Sequence, residues 1–262
     1  EPSYPMPQLS AITRFPVKGL GPDPLDQVQL MAGAALPLDR AWAIENGPSP
    51  FDDAAPGHLP KKHFLMLAGQ SDLARLTCRH DAQGHSYSVS LDGAGPVTVK
   101  LDDPATHLPL FDVLNALLGE AVRGPLRLVH APGQAMTDIP QPQISLINAA
   151  SVRELSDRIG QPLDPLRFRG NLLIDGLAPW EEFELIGQAI RIGGVKCRVE
   201  SRIRRCVATS VNPDSAELDS NVPAALFEHY GHMDCGLYLT VLEDGLIALG
   251  DPVEIDASGS PA

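Results

Sequence analysis

The sequence predicts a mainly β chain with a few helices, an α+β architecture, and three observations carry that expectation. Short apolar runs rich in β-branched residues recur along almost the whole chain, cut by Gly, Pro and Asp. Only three stretches repeat their apolar residues at helical spacing. A hydrophobic content of 44% with 20% charged residues fits a folded globular protein, and 262 residues suffice for one large or two modest cores.

In order along the chain, strands are expected at 9–17, 41–45, 74–79, 86–91 and 97–101, a spacing that suggests a sandwich or barrel. Between the second and third of these, Asn46 to Pro60 is rich in breakers and reads as a loop ending in Lys61-Lys62-His63. Phe111, Leu114, Leu117 and Leu118 recur at helical spacing and predict a helix over 110–119. Ser151-Val152-Arg153-Glu154 has the form of a capping box, so a second helix starts at Ser151, lines Val152, Leu155 and Ile159 on one face, and stops at Gly160. Strand signals return at 171–175, 184–186, 189–192, 195–199 and 207–211. A third helix over 222–230 has Asn221 as its cap, Pro223 in its first turn and Gly231 beyond its end. Strands at 237–241, 247–249 and 253–255 complete the second half, and the tail from Asp256 reads as disordered.

The formal charge of −13 argues against general nucleic-acid binding, which depends on neutralising phosphates. No apolar run approaches the roughly 20 residues of a membrane span, and Glu1-Pro2-Ser3-Tyr4-Pro5 lacks the basic start and apolar stretch of a signal peptide, so a cytoplasmic protein without membrane attachment is expected. Four cysteines without tight spacing, Cys78, Cys197, Cys206 and Cys235, read as separate reduced thiols. The glycine-rich nucleotide loops, the G-x-S-x-G elbow and H-E-x-x-H are all missing. His229, His232, Asp234 and Cys235 read as capping and packing residues rather than a metal cluster, Glu181 and Glu182 as a solvated pair at a turn, and Trp42 and Trp180 as core or rim aromatics.

Cys206 stands out. It closes Arg202-Ile203-Arg204-Arg205-Cys206, and positive charge around a thiol favours the thiolate, the form that attacks electrophiles and binds soft metals. The other reading is a small buried cysteine at a strand start. Lys18, Arg40, Arg169, Arg198, Arg202, Arg204 and Arg205 form, if folding gathers them, a positive pocket in an acidic protein, suited to a small polyanion; in the alternative they sit on separate strands, paired with the excess Asp and Glu.

Arg205-Cys206 with Thr209 and Asn212-Pro213 resembles the signature of the MOSC domain, the C-terminal domain of molybdenum cofactor sulfurases. Phe15-Pro16-Val17-Lys18-Gly19 and Asp39-Arg40-Ala41-Trp42 resemble motifs of the β-barrel domain that precedes MOSC. Phe168-Arg169-Gly170-Asn171 with Pro179-Trp180-Glu181-Glu182 is similar to its middle motif, and Gly250-Asp251-Pro252-Val253 to its closing strand. The resemblance implies a smaller N-terminal β-barrel domain over 9–105 and a MOSC β-barrel over 125–257, nearest to the mitochondrial amidoxime-reducing components and their bacterial relatives. Two positions depart from the pattern: Ile203 stands where many members have a second cysteine, and Gly19 where a serine often follows the lysine.

What the resemblance implies is a molybdenum-cofactor (Mo-molybdopterin) oxidoreductase that reduces N-hydroxylated or related N- or S-oxygenated compounds by removing oxygen. Cys206 would be the catalytic metal ligand. Lys18, Gly19, Arg40, Ser145, Arg169, Asn171, Arg204, Arg205 and Tyr238 would bind the cofactor. The chain ends without a fused iron–sulfur domain, so electrons are expected from a separate protein of the ferredoxin, cytochrome b5 or flavin reductase type. Two alternatives stay open: a sulfur carrier or cofactor-handling protein with a persulfide on Cys206, and a molybdopterin-binding module without turnover.

Overall fold

The computed structural model describes residues 6–81, 83 and 86–255; the expected tail from Asp256 and the first five residues lie outside the described residues. In chain order the described residues form β1 (Gln8–Arg14), β2 (Asp23–Leu25), β3 (Gln27–Leu30), β4 (Trp42–Asn46), β5 (Leu76–Asp81), β6 (Ser86–Leu91), β7 (Val97–Lys100), α1 (Leu108–Leu118), β8 (Leu126–His130) and β9 (Ile144–Asn148). Then follow α2 (Ala149–Ile159), β10 (Leu172–Asp175), β11 (Ala189–Ile192), β12 (Val195–Arg204), α3 (Val222–Tyr230), β13 (Asp234–Val241), β14 (Gly245–Ala248) and β15 (Val253–Ile255). The protein is mainly β with three helices, as its alternating patterns predict.

Eight strands join in the order β15-β11-β12-β13-β9-β10-β1-β2. All neighbours are antiparallel except β9 and β10. The sheet curls until its ends meet: Gln8 bridges Pro252, Leu9 N donates to Asp251 O at 2.9 Å, and Val253 N donates to Pro7 O at 2.7 Å. Its interior is apolar because period-2 alternation aims Val195, Cys197 and Val199 of β12 inward, where they meet Ile144, Leu146, Leu237 and Leu239. Leu9, Ile12, Val28 and Leu30 from the first 30 residues belong to this same core, so the start of the chain is built into the sheet of its second half.

A second core lies under the antiparallel meander β5-β6-β7 and α1, where Leu110 and Leu114 pack with Leu20, Trp42, Tyr87 and Val99. A third joins α2 and α3 through Val152, Leu155, Val222 and Leu226. Gly160 and Gly231 end these two helices in the left-handed conformation that lacks a Cβ penalty.

Several expectations are corrected. The segment 184–186 lies in a 3₁₀ turn over Glu181–Leu185, and 207–211 begins as a 3₁₀ turn over Val207–Ser210. Helix α2 starts at Ala149, capped by Asn148, whose Oδ1 accepts from Ala150 N at 3.0 Å. Ser151, freed from capping, donates to the carboxylate of Glu182 at 2.8 Å, as does Asn148 Nδ2 at 2.8 Å. Glu182 is therefore fully buried rather than solvated, and burial pushes its carboxyl up. The first strand stops at Arg14, since the next amide, Phe15 N, donates to Asp39 Oδ1 and Pro16 has none to give. Trp42 is a core residue, 2% exposed and stacked on His130.

Gly236 on β13 has φ +82°, and a Cβ there would lie 2.5 Å from Leu146 O on the neighbouring strand. Gly236→Ala is expected to cost about 2–4 kcal/mol of stability through backbone strain and overpacking, read from the midpoint of chemical denaturation.

Candidate active site

The end of β12, the turn after it and the loops of the N-terminal half enclose a cavity of about 170 Å³. The ten residues that the family resemblance assigns to a site all line it: Cys206, Lys18, Gly19, Arg40, Ser145, Arg169, Asn171, Arg204, Arg205 and Tyr238. Arg198 and Arg202 do not. Arg198 Nε donates to Glu200 at 2.9 Å, and the Arg202 guanidinium lies 4.2 Å from the Phe183 ring centroid. Lys61 and Arg167 take their places in the lining, which thus holds Lys18, Arg40, Lys61, Arg167, Arg169, Arg204 and Arg205 against one described carboxylate, Asp138.

Cys206 is half-buried, whereas Cys78, Cys197 and Cys235 are buried, and burial pushes the thiols of Cys197 and Cys235 up to about 12. The cation that hydrogen-bonds its sulfur comes from far away in sequence: Lys61 Nζ is 3.8 Å from Cys206 Sγ. The neighbouring Arg205 turns inward instead, donating from Nε to Cys235 O at 2.7 Å and from Nη1 to Phe168 O at 2.9 Å. Its Nη2 is buried with no hydrogen-bond partner. Burial pushes the Arg205 guanidinium down from its ordinary value.

Phe15 organises the opposite wall. Arg40 and Arg169 place their guanidinium carbons 4.5 and 4.1 Å from its ring centroid. Both arginines hold positive φ, 47° and 49°, in conformations that non-glycine residues adopt only when the surroundings fix them. Here Arg40 Nη2 donates to Arg169 O at 2.7 Å, Arg40 pairs with Asp39, and Arg169 Nη2 donates to Leu20 O at 2.9 Å. Burial, with Arg40 adding to it, pushes Arg169 down to about 9.

Ser145 and Asn171 form the floor and spend their polar atoms largely on each other. Ser145 Oγ and N donate to Asn171 Oδ1 at 2.9 and 3.1 Å, Asn171 N lies 2.9 Å from Ser145 Oγ, and Asn171 Nδ2 donates to Thr13 O at 3.2 Å. Gly19 lets the backbone pass close to a neighbour, since its φ is +83° and a Cβ would meet Leu65 O at 2.8 Å. Lys18 Nζ donates to Met136 O at 2.8 Å and to Asp138 Oδ1 at 3.2 Å, and Lys61 Nζ donates to Asp138 Oδ2 at 2.8 Å. Burial pushes the Lys18 ammonium down, while at Lys61 and Asp138 the ion pairing outweighs burial, so Lys61 is held above and Asp138 below its ordinary value.

The donor set fits an anionic, sulfur-bound cofactor: a half-buried thiol for a soft metal, a ring of cations for a phosphate, and a buried guanidinium nitrogen left without an acceptor. Residues 133–254 match the family model described as the MOSC domain. The chain carries a MOSC domain. It is similar to the molybdenum cofactor sulfurase of Anopheles gambiae, 27% identical over 92% of this chain and 35% of that protein. It is also similar to the mitochondrial amidoxime reducing component 2 of Rattus norvegicus, 29% identical over 42% of this chain and 36% of that one. The chain thus spans about a third of the length of these relatives. Among solved structures, the YuaD protein from Bacillus subtilis aligns over 95% of this chain and 96% of its own, at 14% identity and a TM-score of 0.45. Cys206 and the strand β12 that leads into its turn lie within the matched MOSC domain, whereas Lys18, Gly19, Arg40 and Lys61 reach its cavity from outside the match.

Asp138 is ionised more readily in the folded protein than in the unfolded chain. The stability it contributes is therefore present above its unfolded value, about 3.9, and lost as pH falls through its lower folded value. Asp138→Asn is expected to melt lower than the unmodified protein at pH 6 to 7 and to converge with it in acid, as a series of thermal melts across pH would show.

Proposed function

We propose that the cavity binds Mo-molybdopterin and that the chain is a molybdenum-dependent oxidoreductase acting on N-hydroxylated or related N- or S-oxygenated compounds. The observation that carries this reading is Cys206, the half-buried thiol, at the edge of a cavity where seven basic side chains meet one described carboxylate in a protein of net charge −13. A soft thiolate suits a thiophilic redox metal, and arginine forks with Lys18 suit a phosphate. In this reading residues 125–257 supply the metal ligand and residues 9–105 close the cavity over it.

Cys206 Sγ holds the metal, and Lys18, Arg40, Arg169, Arg204 and Arg205 neutralise the anionic part of the cofactor. Gly19 offers a backbone amide, and Tyr238 with Ser145 and Asn171 shapes the floor. When bound, molybdenum supplies two-electron oxygen-atom chemistry. Reduction of an N–OH group needs two electrons and two protons and releases water; the ammonium of Lys61, held by Asp138 next to Cys206 Sγ, keeps a proton at that edge. The electrons come from a separate donor protein. No helix among the described residues is long and apolar enough to cross a membrane.

The alignment with a cofactor sulfurase over 92% of this chain favours one other reading, in which Cys206 carries a persulfide sulfur. Donor-dependent turnover separates the two. With an artificial electron donor the oxidoreductase turns over many times and consumes donor in proportion to substrate. A carrier instead takes up one sulfur per Cys206, seen as a mass increase on that peptide after incubation with cysteine and a cysteine desulfurase, and shows no donor-dependent reduction.

Cys206→Ser is expected to keep the fold and lose more than about a hundredfold in reduction rate, since even residues that only support metal ligands cost 10–100-fold. Full activity in that variant removes the ligand assignment. Lys18→Glu and Arg169→Glu are expected to lower molybdenum content more than melting temperature; the reverse pattern assigns these residues to structural ion pairs.

A further inference from the structure

A second cavity, of about 240 Å³, lies against the first. The two share Gly19, Leu67, Arg167, Arg169 and Ala208 in their walls. Beyond that junction the second cavity runs between the N-terminal half and the MOSC domain, with Leu20, Leu73 and Leu76 on one side and Leu166 and Val211 on the other. Its chemistry changes along its length. The junction carries two guanidinium groups, and Arg167 is 4% exposed, donating from Nη1 to Ser210 O at 3.2 Å and from Nη2 to Asp219 Oδ2 at 2.8 Å, while its Nε is buried and unpartnered. The far wall is mostly hydrocarbon, with Thr77, Cys78 and Asp214 as its polar members. Ala208 also ties this space to Cys206: it follows that residue by two positions in a 3₁₀ turn, about 4 Å along the turn axis.

A wall that is basic at one end and apolar at the other matches a small amphiphilic molecule lying across the junction. We infer that the second cavity is a substrate subsite that takes the apolar body of an N-oxygenated small molecule, with the oxygenated head at Arg167 and Arg169 facing Cys206. This inference rests on the proposed oxidoreductase reading for what the head is. The body's site is argued from the walls alone. Substrates with an aromatic or alkyl body are then preferred over small polar ones, because only they displace water from the leucine wall.

The test measures binding directly, by calorimetry on protein from a cofactor-producing host, with three hydroxamic acids of growing body: acetohydroxamic, benzhydroxamic and 4-butylbenzhydroxamic acid. Each step in body size is expected to tighten binding by about tenfold, as burial of a ring or a butyl chain predicts. Ala74→Trp fills the cavity from a half-buried position on the 3₁₀ turn Ser71–Arg75, and Thr77→Phe fills it from an exposed position on β5. Either variant that folds is expected to abolish the gain for the two larger compounds and leave acetohydroxamic acid binding unchanged. Equal affinities across the series overturn the inference, as does a gain that survives both fillings or an equal loss for all three compounds. Graded binding without donor-dependent turnover of any compound leaves the subsite standing and removes the oxidoreductase reading; turnover without graded binding does the opposite.

Discussion

The architecture of this site depends on keeping several positive charges close together with few carboxylates to balance them. Phe15 is central to that. Its ring faces the guanidiniums of Arg40 and Arg169, its amide is held by Asp39, and Asp39 in turn pairs with Arg40. The two arginines keep left-handed backbones that cost of order 1–3 kcal/mol each, and the hydrogen bonds to Arg169 O and Leu20 O hold them there. Burial, with the charge of Arg40 beside it, lowers the affinity of Arg169 for its proton, and a bound anion would relieve that. Storing that tension requires a rigid frame, and the strands of the closed sheet on one side and the meander on the other provide it.

Asp138 balances part of this charge from within the chain. Its carboxylate reaches Lys18 and Lys61 together, so an internal acid satisfies two of the cations that a phosphate would otherwise meet. Asp138 lies on a loop rather than on the sheet. The residues that hold the floor are different in kind: Ser145 and Asn171 sit on or beside the parallel pair β9 and β10 and satisfy one another. One part of the cavity is fixed by strand hydrogen bonding and the other by ion pairs.

Much of this was legible in the sequence, and what was not has physical reasons. Alternation revealed β5, β6, β7, β11 and the start of β12, and the caps Asn221, Gly160 and Gly231 bounded helices correctly. β9 escaped notice because Ile144–Asn148 is buried on both faces and so lacks alternation. The three-residue β2 carries too few residues to show a period, and the four-residue β3 alternates as Gln27-Val28-Gln29-Leu30 but was missed all the same. The basic run around Cys206 misled in one respect. Register shifts in β12, between Val199 and Ser201 and between Arg202 and Arg204, re-aim successive side chains, sending Arg202 to Phe183 and Arg204 to the cavity. Lys61 and Asp138 meet Cys206 and Lys18 across 145 and 120 residues, distances over which no local pattern carries a signal.

The bridge between Gln8 and Pro252 has a consequence for how the protein is made. Ribosomes add about 5–20 residues each second, so the first strand leaves the exit tunnel roughly 12–50 seconds before its last partner does. Throughout that interval Leu9 and Ile12 have no complete core to enter, and the edge of β1 that will receive residues 250–253 stays open to any other extended chain. The protein's exposure to aggregation is thus set by the pace of translation as much as by the stability of the finished fold. Slowing synthesis late in the message would lengthen that exposure without changing a single native contact.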